Sequence, residues 1–203
     1  DHAIIVVPNY QAAETIPLDI CEVSGVPLNP EENWSLDIDR VKNEIRPNTK
    51  LISINFPNNP TGAILTRERL DELIRICRNR GLYLFSDEVY RLLERDTKLR
   101  LPQIADIYER GISLNVMSKA YGLPGLRLGW IMCKDETILQ NMERYKHYLS
   151  ICNSAPSEHL SMIALKAKEQ ILDRNRTLIN ANIKILCEFF NEFSDLFDWV
   201  IPD

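Results

Sequence analysis

The chain has 203 residues, with 24 Lys and Arg against 29 Asp and Glu, a net charge of −5, and 45% hydrophobic and 26% charged residues. This is the composition of a soluble globular protein with room for one substantial core, and it lacks the basic surplus that a nucleic-acid surface needs. No run approaches the roughly 18 apolar residues of a membrane span, and the opening residues carry no basic segment, so neither a membrane role nor a signal peptide is expected.

The first predicted element is an apolar strand, Ile4 to Val7, ended by Pro8-Asn9-Tyr10. A buried parallel strand needs neighbours on both sides, so further chain upstream of it is expected. Tyr10 stands at the strand's carboxyl end, either as a rim-packing aromatic or as a flat surface for a cofactor ring. A second strand is predicted over Leu18 to Val23. Asp37 then reads as the N-cap of a helix whose Ile38, Val41 and Ile45 share a face and which stops before Pro47.

Lys50 to Phe56 returns to strand and leads into Asn58-Asn59-Pro60-Thr61-Gly62, a turn by its Asn, Pro and Gly content. Thr66 caps the next predicted helix, with Leu70, Leu73, Ile74 and Cys77 at helical spacing and Gly81 closing it. Leu82 to Ser86 is a buried strand, and Asp87-Glu88-Val89-Tyr90 follows at its end. Asp87 either caps a helix starting there or is a buried carboxylate, and a buried carboxylate requires a cation opposite it. Pro102 to Arg110 reads as a short amphipathic helix ended by Gly111.

Ile112 to Met117 is the strand on which the chain is centred, because Ser118 and Lys119 fall where it ends. Ligands bind at the carboxyl ends of strands in open α/β sheets, and a partly desolvated lysine there can form a Schiff base. Gly122, Gly125 and Gly129 are read as points of close backbone approach, and Arg127 as a positive fork suited to a phosphate. Leu128 to Cys133 is a further strand, joined by too few residues for a helical crossover, so it should run antiparallel or lie elsewhere in the sheet.

Asp135 caps a predicted helix reaching Tyr148. After the break at Asn153 to Ser157, helical periodicity resumes through Leu160 to Ile171 and Leu178 to Phe193, and a strand is expected to begin at Trp199. The alternation of elements predicts an α/β fold, doubly wound around a mostly parallel sheet with helices on both faces. Five widely spaced cysteines read as reduced thiols of a cytoplasmic protein, and the three histidines share no metal-ligand spacing, so no metal site is expected.

Three motifs, each at a strand end and in this order, carry a resemblance over essentially the whole chain: Asn58-Asn59-Pro60-Thr61-Gly62, Ser86-Asp87-Glu88-Val89-Tyr90, and Ser118-Lys119 followed by Gly125-Leu126-Arg127-Leu128-Gly129. The chain resembles the large domain of the class I and II aminotransferases, fold-type I enzymes dependent on pyridoxal 5'-phosphate. The resemblance implies that Lys119 is the Schiff-base lysine and proton shuttle, and that Asp87 keeps the cofactor's ring nitrogen protonated. It implies that Asn59 and Tyr90 donate to the ring's phenolic oxygen, that Ser118 and Arg127 contact the phosphate, and that Tyr10 stacks on the ring. It divides the chain into a cofactor-binding large domain at 1–156, lacking its N-terminal part, and a long helical segment at 157–203 leading to a small domain.

The family's upstream glycine-containing phosphate loop and its downstream carboxylate-binding arginine have no counterpart here, so the isolated chain is expected to bind cofactor weakly and turn over little. The implied function is transfer of an amino group between an amino acid and a 2-oxo acid by a homodimer. A lyase, decarboxylase or synthase of the same fold carries the same motifs, as does the sensing domain of a transcription regulator, which would have a helix-turn-helix upstream.

Overall fold

The computed structural model describes residues 1–203. Six strands, β1 (His2–Val7), β2 (Glu22–Pro27), β3 (Thr49–Asn55), β4 (Tyr83–Asp87), β5 (Gly111–Val116) and β6 (Gly129–Cys133), form one sheet in the order β2-β1-β3-β4-β5-β6. The first five are parallel and β6 is antiparallel to β5, as the short β5–β6 connection requires. From β1 the chain moves outward to β2 and then returns to place β3 on the other side of β1. The carboxyl ends of β1 and β3 therefore flank the point where strand order reverses, the position at which open α/β sheets take ligands.

Alternation along the strands divides the sheet's side chains into two faces. On the first, Ile4, Val6, Ile52, Ile54 and Leu84 pack against three helices, α2 (Ile38–Glu44), α3 (Arg67–Arg80) and α4 (Ile104–Ile107). Leu73 and Cys77 of α3 are fully buried there, and burial of a leucine side chain such as Leu73 contributes roughly 1.5–3 kcal/mol. The second face carries the first helix in the chain, α1 (Gln11–Leu18), whose Ala12, Ala13 and Ile16 share a cavity with Ala3, Ile5 and Phe85 of the sheet. Three more helices follow β6: α5 (Glu136–Ser150), α6 (Ala155–Lys166) and α7 (Lys168–Glu192).

The predicted caps form. Asp37 accepts from the amides of Asp39 and Arg40 at 2.9 and 3.2 Å, Thr66 from Arg69 at 3.3 Å, and Asp135 from Thr137 and Ile138 at 3.0 and 3.2 Å. Gly81 ends α3 at φ +66°, a conformation that costs a side-chain-bearing residue about 1 kcal/mol or more.

Three expectations are corrected, and of the two readings of Asp87 the helix cap is removed. The strand predicted over Leu18 to Val23 is replaced by α1 and by β2, which begins at Glu22. The good helix formers Gln11 to Glu14 follow a fixed turn in which Glu14 Oε1 accepts from the Asn9 amide at 2.6 Å. Asp87 caps no helix; its Oδ1 accepts from the Val89 amide at 3.2 Å and the chain continues in turns. The helix predicted over Pro102 to Arg110 contracts to α4, because the Tyr108 side chain turns inward and donates to the Leu82 carbonyl at 2.6 Å. Trp199 to Pro202 forms no strand. It runs back over the Asn58–Gly62 turn, where the Asp203 amide donates to the Gly62 carbonyl at 3.3 Å.

At the amino-terminal end of the sheet His2 is 1% exposed, with Nδ1 2.8 Å from Thr49 Oγ1 and Nε2 3.1 Å from Ser24 Oγ. Burial, and secondarily the charge of Arg46, hold its imidazole below the ordinary range. The unfolded chain thus takes up this proton first on acidification, so the stability carried by neutral His2 is complete above about pH 6.5 and is lost as pH falls from there. Denaturant titrations should show unfolding free energy dropping with pH below that point by at most about 1.4 kcal/mol per unit from this group, and His2→Gln should flatten the slope.

Candidate active site

The carboxyl end of β4 presents consecutive side chains to opposite faces. Ser86 and Glu88 belong with the first face and Asp87 with the second. Asp87 is 8% exposed, and burial pushes its carboxyl above the usual carboxylate range. The Val89 amide bond and the charge of Lys119 only partly oppose that effect. No arginine or lysine lies within ion-pair distance of it. It lines a cavity of about 440 Å³ whose walls include Tyr10, Phe85, Val89, Leu114 and Val116. A buried carboxylate with a free oxygen edge, set in mostly apolar walls, fits a flat ring that carries a proton on a nitrogen.

Lys119 sits in the turn that follows β5. Met117, Ala120 and Tyr121 of this turn are buried against Ala164 of α6 and Leu172 of α7. The turn is held further by hydrogen bonds from the Met117 amide to the Leu128 carbonyl (2.9 Å), from the Ala120 amide to the Val89 carbonyl (3.2 Å), and from Asn175 Nδ2 of α7 to the Ala120 carbonyl (2.9 Å). Strand-end position predicts partial desolvation of Lys119, but the residue is exposed. Its Nζ lies 5.6 Å from the centre of the Tyr90 ring. A cation over an aromatic face is held on one side while remaining free to react on the other.

Asn59 and Tyr90 line a second cavity of about 300 Å³, together with Leu93 and Pro202. Ser118 is half-buried and Arg127 exposed, and neither lines these cavities. Arg127 adopts φ +50°, unusual for a residue with a side chain, and its Nη1 donates to the Pro124 carbonyl at 3.1 Å. Of the three glycines in this stretch, Gly129 meets the expectation of close approach, since a Cβ there would lie 2.8 Å from Val116 Cγ1. Gly125 faces open space. The structure thus brings Asp87 and Tyr10 to one cavity and Asn59 and Tyr90 to another, and sets Lys119 above Tyr90.

Two asparagines absent from the sequence-based selection hold the site together. Asn55, 1% exposed at the end of β3, donates through Nδ2 to the Asp87 carbonyl at 3.0 Å and accepts at Oδ1 from the Asn59 amide at 2.8 Å. Asn58, 4% exposed, donates to the Pro8 carbonyl at 3.2 Å and accepts at Oδ1 from the Thr61 amide and hydroxyl at 3.1 and 2.7 Å. The ends of β1, β3 and β4 are thereby tied to one turn. The only sequence signal for Asn55 was a polar residue at the carboxyl end of its strand.

The family model for aminotransferase class I and II matches residues 1–203. Aromatic-amino-acid aminotransferase 2 of Thermococcus litoralis is 32% identical over 144 residues, 70% of this chain and 36% of that protein. Capreomycidine synthase of Streptomyces vinaceus is 25% identical over 203 residues, covering 100% of this chain and 52% of its own length. The crystal structure of a PLP-dependent aminotransferase from Streptococcus suis superposes with a TM-score of 0.92 at 36% identity, covering 100% of this chain and 53% of that one. The chain spans about half the length of these relatives or less.

Replacing Asn55 by Ala leaves the Asp87 carbonyl and the Asn59 amide without their partner. Chemical denaturation of Asn55→Ala should report a loss of about 1–3 kcal/mol, against a change within about 0.5 kcal/mol for an exposed control such as Lys50→Ala.

Proposed function

The chain belongs to the class I and II aminotransferase family, and on that premise we propose that the protein is a pyridoxal 5'-phosphate-dependent aminotransferase moving an amino group between an amino acid and a 2-oxo acid. The observation that carries the reading is Asp87: a buried carboxylate without a cationic partner in the chain, opening on an apolar cavity one strand away from an exposed lysine. When bound, the cofactor supplies an aldehyde carbon that condenses with amines and a ring that accepts the electron pair left by the departing α-proton.

In this reading each side chain has one task. Lys119 would hold the cofactor at its aldehyde carbon and, as the free amine, would take the proton from the substrate α-carbon on Nζ and deliver it to that cofactor carbon. Its seat above Tyr90 limits the positions Nζ can reach. Asp87 keeps the ring-nitrogen proton in place, because removing that proton would strand a negative charge in apolar surroundings. Asn59 and Tyr90 donate to the phenolic oxygen, Ser118 and Arg127 hold the phosphate, and Tyr10, 54% exposed at the mouth of the cavity, covers the ring. Arg127 gives one Nη1 donor to the Pro124 carbonyl, which leaves Nε and Nη2 for the phosphate.

The division into 1–156 and 157–203 belongs to the same proposal. It is supported by the break between α5 and α6, while Asn175 and Arg176 of α7 reach back to the Ala120 and Leu92 carbonyls, so the second part still braces the lysine loop. A homodimer is part of the reading, supported by apolar side chains left exposed on α5 to α7, among them Tyr148 and Ile185. So is a cytoplasmic setting, supported by five cysteines with no disulfide. No helix is long and apolar enough to cross a membrane. A synthase matching along the whole chain favours one second reading, another reaction at the α-carbon of an amino acid with the same residues.

A two-stage absorbance titration separates the readings. An aminotransferase loses the band of its lysine-bound cofactor when an amino acid is added and regains it only with a 2-oxo acid; a synthase or lyase regains it unaided. Borohydride should fix the cofactor to Lys119, and Lys119→Ala should abolish that labelling and lower turnover by about a thousandfold or more. Covalent labelling at another lysine would contradict the assignment.

A further inference from the structure

Behind Asp87, on the first face of the sheet, lies a carboxyl group that the proposed chemistry does not use. Glu88 is 4% exposed. Its Oε1 accepts from the Ile104 amide at 2.9 Å and from Ser113 Oγ at 2.8 Å, and Ser113 Oγ in turn accepts from the Ala105 amide at 3.0 Å. The Glu88 amide donates to the Leu114 carbonyl at 2.9 Å. One residue thus fastens the end of β4 to β5 and to the start of α4.

Its second oxygen, Oε2, is buried and accepts no hydrogen bond of ordinary geometry, with the Ser86 hydroxyl near enough to favour its charged form only weakly. Glu88 lines a cavity of about 40 Å³ that also takes in Ser86, Arg91, Glu94 and Pro102. A water needs at least roughly 10–15 Å³ and two or more polar partners, so this space admits a small number of waters beside Oε2. The charges around it are largely committed. Arg91 Nε donates to the Leu101 carbonyl at 3.1 Å, and Arg100 Nε pairs with Glu94 at 2.9 Å while its Nη2 is buried without a partner, so neither guanidinium forms an ion pair with Glu88. Burial accordingly raises its carboxyl above the ordinary range, with the Ile104 and Ser113 bonds and Arg91 opposing.

We propose that Glu88 is a positioning residue for Asp87: through Oε1 it clamps the β4 end to β5 and α4, and through Oε2 it binds water in the cavity behind the sheet. Asp87 and Glu88 are consecutive and point to opposite faces, so any drift of the β4 end away from β5 moves the Asp87 carboxylate out of its cavity and lets solvent reach it. The residue touches no cofactor and acts only through the strand. The inference rests on the cofactor reading above for its consequence in binding, but not for its consequence in the Asp87 titration.

The test therefore has two readouts: the Asp87 midpoint, followed by carboxyl-carbon NMR in the cofactor-free protein, and the dissociation constant for pyridoxal phosphate. Glu88→Gln keeps an oxygen for Ile104 and Ser113 and a polar group for water, so both readouts should stay near the wild-type values. Glu88→Ala should lower the Asp87 midpoint toward the ordinary aspartate range and weaken cofactor binding by about tenfold. Ser113→Ala, which removes one leg of the clamp without opening a large cavity, should shift both in the same direction by less; it decides the matter if Glu88→Ala does not fold. An unchanged Asp87 midpoint in Ser113→Ala and Glu88→Ala, or a Glu88→Gln variant as impaired as Glu88→Ala, would overturn the proposal. If the wild-type protein takes up no pyridoxal phosphate, the cofactor reading fails while the Asp87 titration still tests the clamp.

Discussion

A carboxylate removed from water without a cation beside it is the constraint around which this fold is arranged. Strand alternation sends Asp87 to the second face of the sheet while its neighbours Ser86 and Glu88 turn to the first. Left alone, the charged form is disfavoured, and the direction of its proton affinity reflects that burial. The chain supplies only partial relief through the Val89 amide and the nearby Lys119 charge. A cationic group in the adjoining cavity would supply the rest, which is why the proposal joins an apolar cavity, a buried acid and an exposed lysine in one description.

Holding such a group in place demands rigidity from a region made of turns. The topology helps first: β1 and β3 diverge at their carboxyl ends, and β4 and β5 stand beside them, so four strand ends contribute to one rim. Buried amides then lock the rim. Asn55 spans from β3 to the end of β4, Asn58 reaches the end of β1, and the lysine turn is stapled from outside by α6 and α7 through Ala164, Leu172 and Asn175. In a low-dielectric setting each of these bonds matters more by what its loss would leave unpaired than by its net contribution.

How much of this could be read beforehand follows the range of the interactions. Asp37, Thr66 and Asp135 cap their helices as predicted because capping is decided within three residues. Loop length left β6 antiparallel or elsewhere in the sheet, and it lies antiparallel beside β5, while the three strand-end motifs stood out because strand ends are marked by where apolar runs stop. The element α1 was missed because Pro17 and the strand-like Leu18 to Val23 segment masked a short helix stabilised from Asn9 and Glu14. The strand predicted at Trp199 gave way to a contact with Gly62 far away in sequence. The bracing roles of Asn55, Asn58 and Glu88 were invisible for the same reason: Asn58 and Glu88 stand inside the recognised motifs, but the bonds that tie separate strands together reach 32, 50 and 25 positions away in sequence.

The pairing of Asp87 with a protonated ring is open to direct observation. Nitrogen-15 NMR of the full protein loaded with cofactor labelled at the ring nitrogen reports whether that atom carries a proton. A shift typical of the protonated ring, persisting on the alkaline side of neutrality and lost in Asp87→Ala, is the expected result. A shift typical of the neutral ring in the wild-type protein, or one indifferent to removal of Asp87, would contradict the account.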